Sequence, residues 1–185
     1  MSGRLYAIVG PSGVGKDSVM QAVAAARPDV ALVRRVITRA ETAGGEDFEG
    51  VSDETFEARV QAGDFALHWA AHGLRYGVPR AVDDLLASGR PVLVNLSRAV
   101  LPAAQARFAD FTVLALTAPA QVLAKRLALR GRETEEDIAR RLARADDALP
   151  DGLDHVVTID NGGALENTVA TVLSVLASEM TEAET

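Results

Sequence analysis

Residues 10–16, Gly-Pro-Ser-Gly-Val-Gly-Lys, constrain this chain more than any other stretch. Before them stands the compact apolar run Leu5-Tyr-Ala-Ile-Val9, and after them a pattern that predicts a helix over 16–27, stopped by Pro28. A strand, a glycine turn and a helix in that order open a right-handed crossover, which commits the chain to a parallel sheet. The spacing G-x-x-x-x-G-K in that setting also has a chemical use. Glycines let the backbone curl until successive N–H groups point at one anion, and the helix N-terminus adds partial positive charge. A lysine brings a mobile ammonium to the outer phosphates of a nucleoside triphosphate. Gly10, Pro11, Ser12, Gly13, Val14, Gly15, Lys16, Asp17 and Ser18 are therefore the expected ATP-binding residues, and Lys16 is also expected to act in catalysis. The pattern calls for Ser or Thr directly after the lysine to ligate Mg²⁺, and here Asp17 stands there. A carboxylate is a hard ligand suited to Mg²⁺. Asp17 is expected in the metal site, directly or through a water; capping the helix or acting as a base are its other uses.

The rest of the chain keeps the same rhythm. Strands are expected over 30–37, 91–94, 111–116 and 155–159, and helices over 79–88, 98–108 and 119–130. Thr134 can cap a helix opening with Glu135, Glu136 and Asp137, with an apolar stripe of Ile138, Leu142, Ala145 and Leu149. A last helix carries Leu165, Val169, Val172, Leu173, Leu176 and Met180 on one face, with residues 181–185 expected to fray. The fold class is α/β: a five-stranded parallel sheet with flanking helices in one domain of 185 residues. Residues 38–78, rich in glycine, break the rhythm and read as an insertion on a core of 1–37 and 79–185. Aromatic residues make up only 4% of the chain, so the core must be aliphatic. With 19 Lys and Arg against 26 Asp and Glu, a net charge of −7 argues against nucleic acid as a partner. The absence of cysteine excludes a disulfide framework and fits a reducing compartment. No apolar run is long enough for a membrane span or a signal peptide, so a cytoplasmic location is expected. Partners reduce to small molecules and at most a second copy of the chain in a homodimer.

Arg126, Arg130 and Arg132 precede Arg140, Arg141 and Arg144 on the next helix. Phosphoryl transfer is catalysed mainly by positioning and by neutralising charge, which arginines on a closing flap achieve while excluding water. The lid is expected at about 130–137, with Arg130, Arg132 and Arg141 catalytic. Arg140 and Arg144 are expected to face solvent; a solvated face paired with Glu133, Glu135 and Glu136 is the competing reading of the whole cluster.

These pieces, together with Ile37-Thr38-Arg39, Tyr76-Gly77 and Ile138-Ala-Arg-Arg141-Leu, resemble the guanylate kinase branch of P-loop kinases in order and spacing over nearly the whole chain. The resemblance implies a P-loop NTPase core, an acceptor-binding insertion and a lid. The acceptor region departs from guanylate kinases. Thr42 stands where the family has a second arginine, and Leu67 where it has a guanine-reading glutamate. Val78 replaces its Ser or Thr, and Asn95 its acid. An apolar Leu67 cannot pair with a guanine edge, which makes GMP a poor acceptor.

The replacements form their own pattern. Lys16-Asp17-Ser18, Ile37-Thr38-Arg39, the run from His68 to Leu74, Tyr76-Gly77-Val78 and the run from Val92 to Ala99 resemble the ribose 1,5-bisphosphate phosphokinase family. That resemblance implies ATP-dependent phosphorylation of ribose 1,5-bisphosphate to 5-phosphoribosyl 1-diphosphate, in phosphonate catabolism, with Mg²⁺ arriving on ATP. For a small sugar carrying two phosphates, Arg39, Tyr76 and Arg98 are expected to address phosphates, and His68, Asn95 and Ser97 hydroxyls. Trp69 is expected to pack rather than to bind sugar. The alternatives are a nucleoside monophosphate kinase, against which Leu67 and Thr42 speak, and a catalytically silent binding module, against which Lys16 and the lid arginines speak.

Overall fold

A computed structural model describes residues 3–41, 46–129, 134–143 and 148–182. In chain order the first half holds β1 (Leu5–Val9), α1 (Lys16–Ala26), β2 (Ala31–Leu32), β3 (Arg35–Ile37), β4 (Phe48–Gly50), α2 (Asp53–Ala62), β5 (Phe65–Ala71) and β6 (Leu74–Pro79). The second half holds α3 (Val82–Ala87), β7 (Val92–Asn95), α4 (Leu101–Arg107), β8 (Phe111–Thr117), α5 (Ala120–Leu129), α6 (Glu135–Ala143), β9 (Val156–Asp160) and α7 (Leu165–Glu182).

The core sheet has the order β2-β7-β1-β8-β9, with parallel pairing throughout. β1 lies at its centre, and every one of its five residues is buried. Because side chains alternate along a strand, its two faces feed two layers. Leu5, Ala7 and Val9 pack with Val92, Val94 and Val113 against Leu101 and Ala104 of α4. Tyr6 and Ile8 pack with Leu93, Leu114 and Leu116 against Val19 and Val23 of α1, Leu123 of α5 and Val172 and Leu176 of α7. Both layers are aliphatic apart from Tyr6, Phe108, Phe111 and Trp69, as the composition requires.

The expected strand over 30–37 divides. Val33 makes the last amide bond to the core sheet, through Leu93. After Arg34 the chain leaves, and Arg35–Ile37 joins a second, four-stranded sheet of order β4-β3-β6-β5. The physical reason is Arg35. The turn into the second sheet brings its guanidinium onto Glu46, just before β4, which supplies the counter-charge a nearly buried arginine needs. β5 and β6 form a hairpin whose two turn residues, His72 and Gly73, both have positive φ (53° and 73°), as a tight primed turn requires.

One face of the second sheet packs Val36 and Phe65 on Phe56 of α2, a helix absent from the sequence expectations. Ser52 caps α2 by accepting from the Thr55 amide, and Gly63 ends it in the left-handed region. Three helices are shorter than expected. Pro79 closes β6, so α3 starts at Val82. Arg98–Val100 forms a separate 3₁₀ turn before α4. Leu149 lies beyond α6 and packs on the α4 side of the sheet, while Leu142 packs on the α1 side, so they do not share one helical stripe. α7 remains helical to Glu182, past the point where fraying was expected.

Gly77 has no room for a side chain. A Cβ there would stand 2.4 Å from Cε1 and 2.6 Å from Cδ1 of Phe65, whose ring is stacked on Phe56 with centroids 4.8 Å apart. Gly77→Ala is expected to destabilise the fold by about 1–3 kcal/mol. Thermal denaturation reads this as a fall of several degrees in Tm; an unchanged Tm would contradict the packing described here.

Candidate active site

The glycine loop joins β1 to α1 at the C-terminal edge of the core sheet, where parallel sheets open to ligands. Gly13 and Gly15 carry φ of 84° and 97°, values that a residue with a Cβ adopts only under strain. Gly15 stands at the N-cap of α1 and has no side chain to occupy the first-turn amides. They are left for an anion at the positive end of the helix. The Lys16 ammonium donates to the carbonyls of Gly10 (2.9 Å) and Pro11 (3.4 Å). Burial pulls its pKa down to about 8, with Arg35 and Arg98 adding to the fall and Asp17 and Glu46 opposing it.

The loop is pinned from behind at one atom. The Val14 carbonyl accepts from Asn161 Nδ2 (2.6 Å) and from Arg126 Nη1 (3.1 Å). Asn161 is 4% exposed, and its own Oδ1 accepts from the equally buried Thr168 hydroxyl at 2.6 Å. Its amide bonds to the Thr117 carbonyl at the end of β8. A Cβ on Gly15 would lie 2.8 Å from Asn161 Nδ2, so the glycine and the asparagine fit one another. The sequence signalled only a turn at Asp160-Asn161-Gly162-Gly163, and the pinning residue within it was not singled out.

Facing the loop is the other side of the second sheet. Alternation puts Arg35 and Ile37 of β3, Leu67 and Trp69 of β5, and Tyr76 and Val78 of β6 on this face. Trp69 and Tyr76 are register partners and stack with centroids 5.3 Å apart at an interplanar angle of 10°. The Arg35 guanidinium lies 5.8 Å from the Trp69 ring centre and 5.2 Å from that of Tyr76. Arg35 is 5% exposed and is held by both oxygens of Glu46, with Nε 3.2 Å from Oε2 and Nη2 on Oε1. Asn95, at the C-terminal end of β7, donates to the same Oε2 at 3.2 Å. Glu46 thus joins the second sheet to the core sheet.

Ser97 accepts from Trp69 Nε1 at 2.9 Å. Arg98 lines a cleft of about 310 Å³ together with Gly10, Pro11, Thr117 and Leu123. The Arg39 guanidinium lies 4.4 Å from the centre of the Phe48 ring. Burial raises the Tyr76 pKa; Arg35 and Arg39 pull it down, and Glu46 pushes it up.

Of the expected site residues, Lys16 lies near Arg35, Glu46 and Arg98, Asn95 is bonded to Glu46, Tyr76 stacks on Trp69 and Ser97 accepts from it. Arg39 is near enough to act on Tyr76. His68 is a correction. It is exposed, adjacent in sequence to Trp69 and so on the opposite face of β5, 6.4 Å from the Phe65 ring. Asp17 lies half-buried in the first turn of α1. Arg130 and Arg132 lie outside the described residues, as does Thr42; Arg141 is placed in α6, and its side chain is not described. Arg35 and Glu46 were missed. Arg35 did leave a signal, a charge inside an apolar run; Glu46 left none.

Comparison with known proteins bears on this arrangement. The guanylate kinase family model matches residues 2–179. The ribose 1,5-bisphosphate phosphokinase PhnN of Ruegeria sp. is 54% identical over 177 residues, covering 96% of this chain and 93% of that protein. The enzyme of the same name from Azotobacter vinelandii is 46% identical over 182 residues, covering 95% and 97%. Among solved structures, guanylate kinase from Anaplasma phagocytophilum superposes with a TM-score of 0.69 at 18% identity, covering 96% of this chain and 86% of that one. At that identity the likeness speaks for the fold.

Proposed function

Because the chain belongs to the guanylate kinase family, and within it to the ribose 1,5-bisphosphate phosphokinases, we propose that it transfers the γ-phosphoryl group of ATP to ribose 1,5-bisphosphate. The products are 5-phosphoribosyl 1-diphosphate and ADP, and we assign the reaction to phosphonate catabolism. The observation that carries this reading is the character of the face opposite the phosphate loop. Arg35, Tyr76, Asn95 and Ser97 suit phosphates and hydroxyls, while Leu67 (8% exposed) and Val78 (0%) are buried and apolar where a base edge would need polar partners.

In the proposed reaction an oxygen of the C1 phosphate attacks the γ-phosphorus, and the bond to the β–γ bridging oxygen breaks. The attacking oxygen is already ionised at neutral pH, so no proton has to be removed. The protein's work is placement and charge neutralisation. The loop amides and Lys16 hold the β- and γ-phosphates; Arg39, Tyr76 and Arg98 hold acceptor phosphates; Asn95 and Ser97 face its hydroxyls. Arg130, Arg132 and Arg141 neutralise charge on the transferring group. His68, on the far face of β5, has no part in it. The open first turn of α1 and the glycine cradle fit a triphosphate. Among the described residues no three His, Cys, Asp or Glu side chains could together hold a metal ion. Asp17, half-buried in the first turn of α1, would hold Mg²⁺ beside the phosphates, where the ion would neutralise charge on their oxygens.

The test is an acceptor panel with Mg²⁺-ATP: turnover with ribose 1,5-bisphosphate and none with GMP, AMP, CMP or UMP is expected. Turnover confined to a nucleoside monophosphate would overturn the reading.

Two further results are expected. Polyphosphate binding raises the pKa of Lys16 from its depressed value near 8, so ATP binding takes up protons at about pH 9, where ATP itself is fully ionised. Titration calorimetry in two buffers of different ionisation enthalpy reads the uptake; equal enthalpies would contradict it. Asn161→Asp replaces the donor to the Val14 carbonyl with an acceptor at 2.6 Å. That loss should raise the KM for ATP about tenfold or more, with the acceptor KM little changed. An unchanged KM for ATP would remove Asn161 as the residue that positions the loop.

A further inference from the structure

We propose that Trp69 is the specificity-determining residue that excludes nucleobases, because its indole fills the slot on Tyr76 in which the base of a nucleotide acceptor would stack. This inference rests on the acceptor reading above and deepens it. A base bound beside an acceptor phosphate needs either a polar edge or an aromatic face. Leu67 and Val78 supply no polar edge on this face of the second sheet. Besides the indole itself, the ring this face could offer a base is Tyr76, and Trp69 covers it in near-parallel contact, 5.3 Å between centroids.

The indole is not a loose cover. Its Nε1 donates to Ser97 at 2.9 Å, the side chain packs against the aliphatic layer that includes Leu101 and Ala104 of α4, and Arg35 lies over both rings under the hold of Glu46. Three elements from different parts of the chain therefore fix one side chain. An indole is a flat bicycle of nearly the same outline as a purine. The chain carries, as part of itself, an aromatic bicycle in the place of one on the substrate. The groups that remain available are those that suit a sugar with two phosphates.

The test is a series at one position: Trp69→Phe, Trp69→Leu and Trp69→Ala. Each variant is assayed for inhibition by AMP and GMP in competition with ribose 1,5-bisphosphate at saturating ATP, which blocks binding at the nucleotide-donor side. The wild type is expected to show no competitive inhibition. Trp69→Phe keeps a ring on Tyr76 and should remain resistant. Trp69→Ala opens the slot and should lower the competitive inhibition constant of the purine nucleotides at least tenfold below the wild-type limit, with Trp69→Leu between. Circular dichroism and the melting temperature report whether each variant folds. Should Trp69→Ala not fold, the order of Phe and Leu against the wild type still decides. Competitive inhibition of the wild type by AMP or GMP, or a folded Trp69→Ala or Trp69→Leu variant as resistant as the wild type, overturns the proposal. Wild-type turnover of ribose 1,5-bisphosphate, measured alongside, fails only if the acceptor reading itself is wrong.

Discussion

Lys16→Ala is expected to lower kcat by at least about a hundredfold to a thousandfold, the usual loss when one preorganised charge at a reacting centre is removed. The ammonium sits at the mouth of the glycine cradle, turned onto the Gly10 and Pro11 carbonyls, from which it can swing to an incoming phosphate. The same variant should not be less stable at pH 7. Burial depresses the folded pKa of Lys16 below its unfolded value, so the unfolded chain binds the proton more tightly. The charged lysine therefore costs stability below about pH 8, and that cost fades as pH rises toward 10.5. Kinetics and urea denaturation on one preparation separate the two effects. A lost activity accompanied by a lost fold would contradict this account of Lys16.

Arg35→Ala is expected to have the second largest effect, on stability and acceptor use together. The Arg35 and Glu46 side chains are 6% and 15% exposed. Removing the guanidinium strands a nearly buried carboxylate with Asn95 as its remaining hydrogen-bond donor in this network, at a cost of about 3 kcal/mol. It also removes the cation from the Trp69 and Tyr76 rings and from the acceptor side of Lys16. We expect kcat/KM for the acceptor to fall about a hundredfold, the loss expected when the groups that position a substrate, here Tyr76 and Asn95, shift by about an ångström. The double variant Arg35→Met with Glu46→Gln removes both charges; it should recover most of the stability and little of the activity. If the double variant is as unstable as Arg35→Ala, the stranded charge is not the cause.

The phosphate loop could be read from sequence because its chemistry tolerates few residues. Gly13 and Gly15 need positive φ, and Lys16 must follow at once. The central strands β1, β7 and β8 could be read because burial on both faces leaves continuous apolar runs. The second sheet could not. β3 and β4 have three residues each, too few for a period to show, and β3 is hidden at the end of an apolar run that begins in the core sheet. α2 buries only Phe56, so it carries almost no helical stripe. His68 shows the cost of reading a site without a register, since one step along a strand reverses the face. Glu46 meets Asn95 across 49 positions and Asn161 meets Val14 across 147, contacts that no local pattern announces.

The central claim is that a triphosphate held by the loop meets a sugar bisphosphate rather than a nucleotide. ³¹P NMR of the purified protein with Mg²⁺-ATP and ribose 1,5-bisphosphate tests it most directly. The account predicts that the C1 phosphate resonance gives way to a new pair of coupled diphosphate signals as ADP accumulates, and that Lys16→Ala abolishes the change. A folded, ATP-binding protein that leaves the C1 phosphate resonance untouched would contradict it.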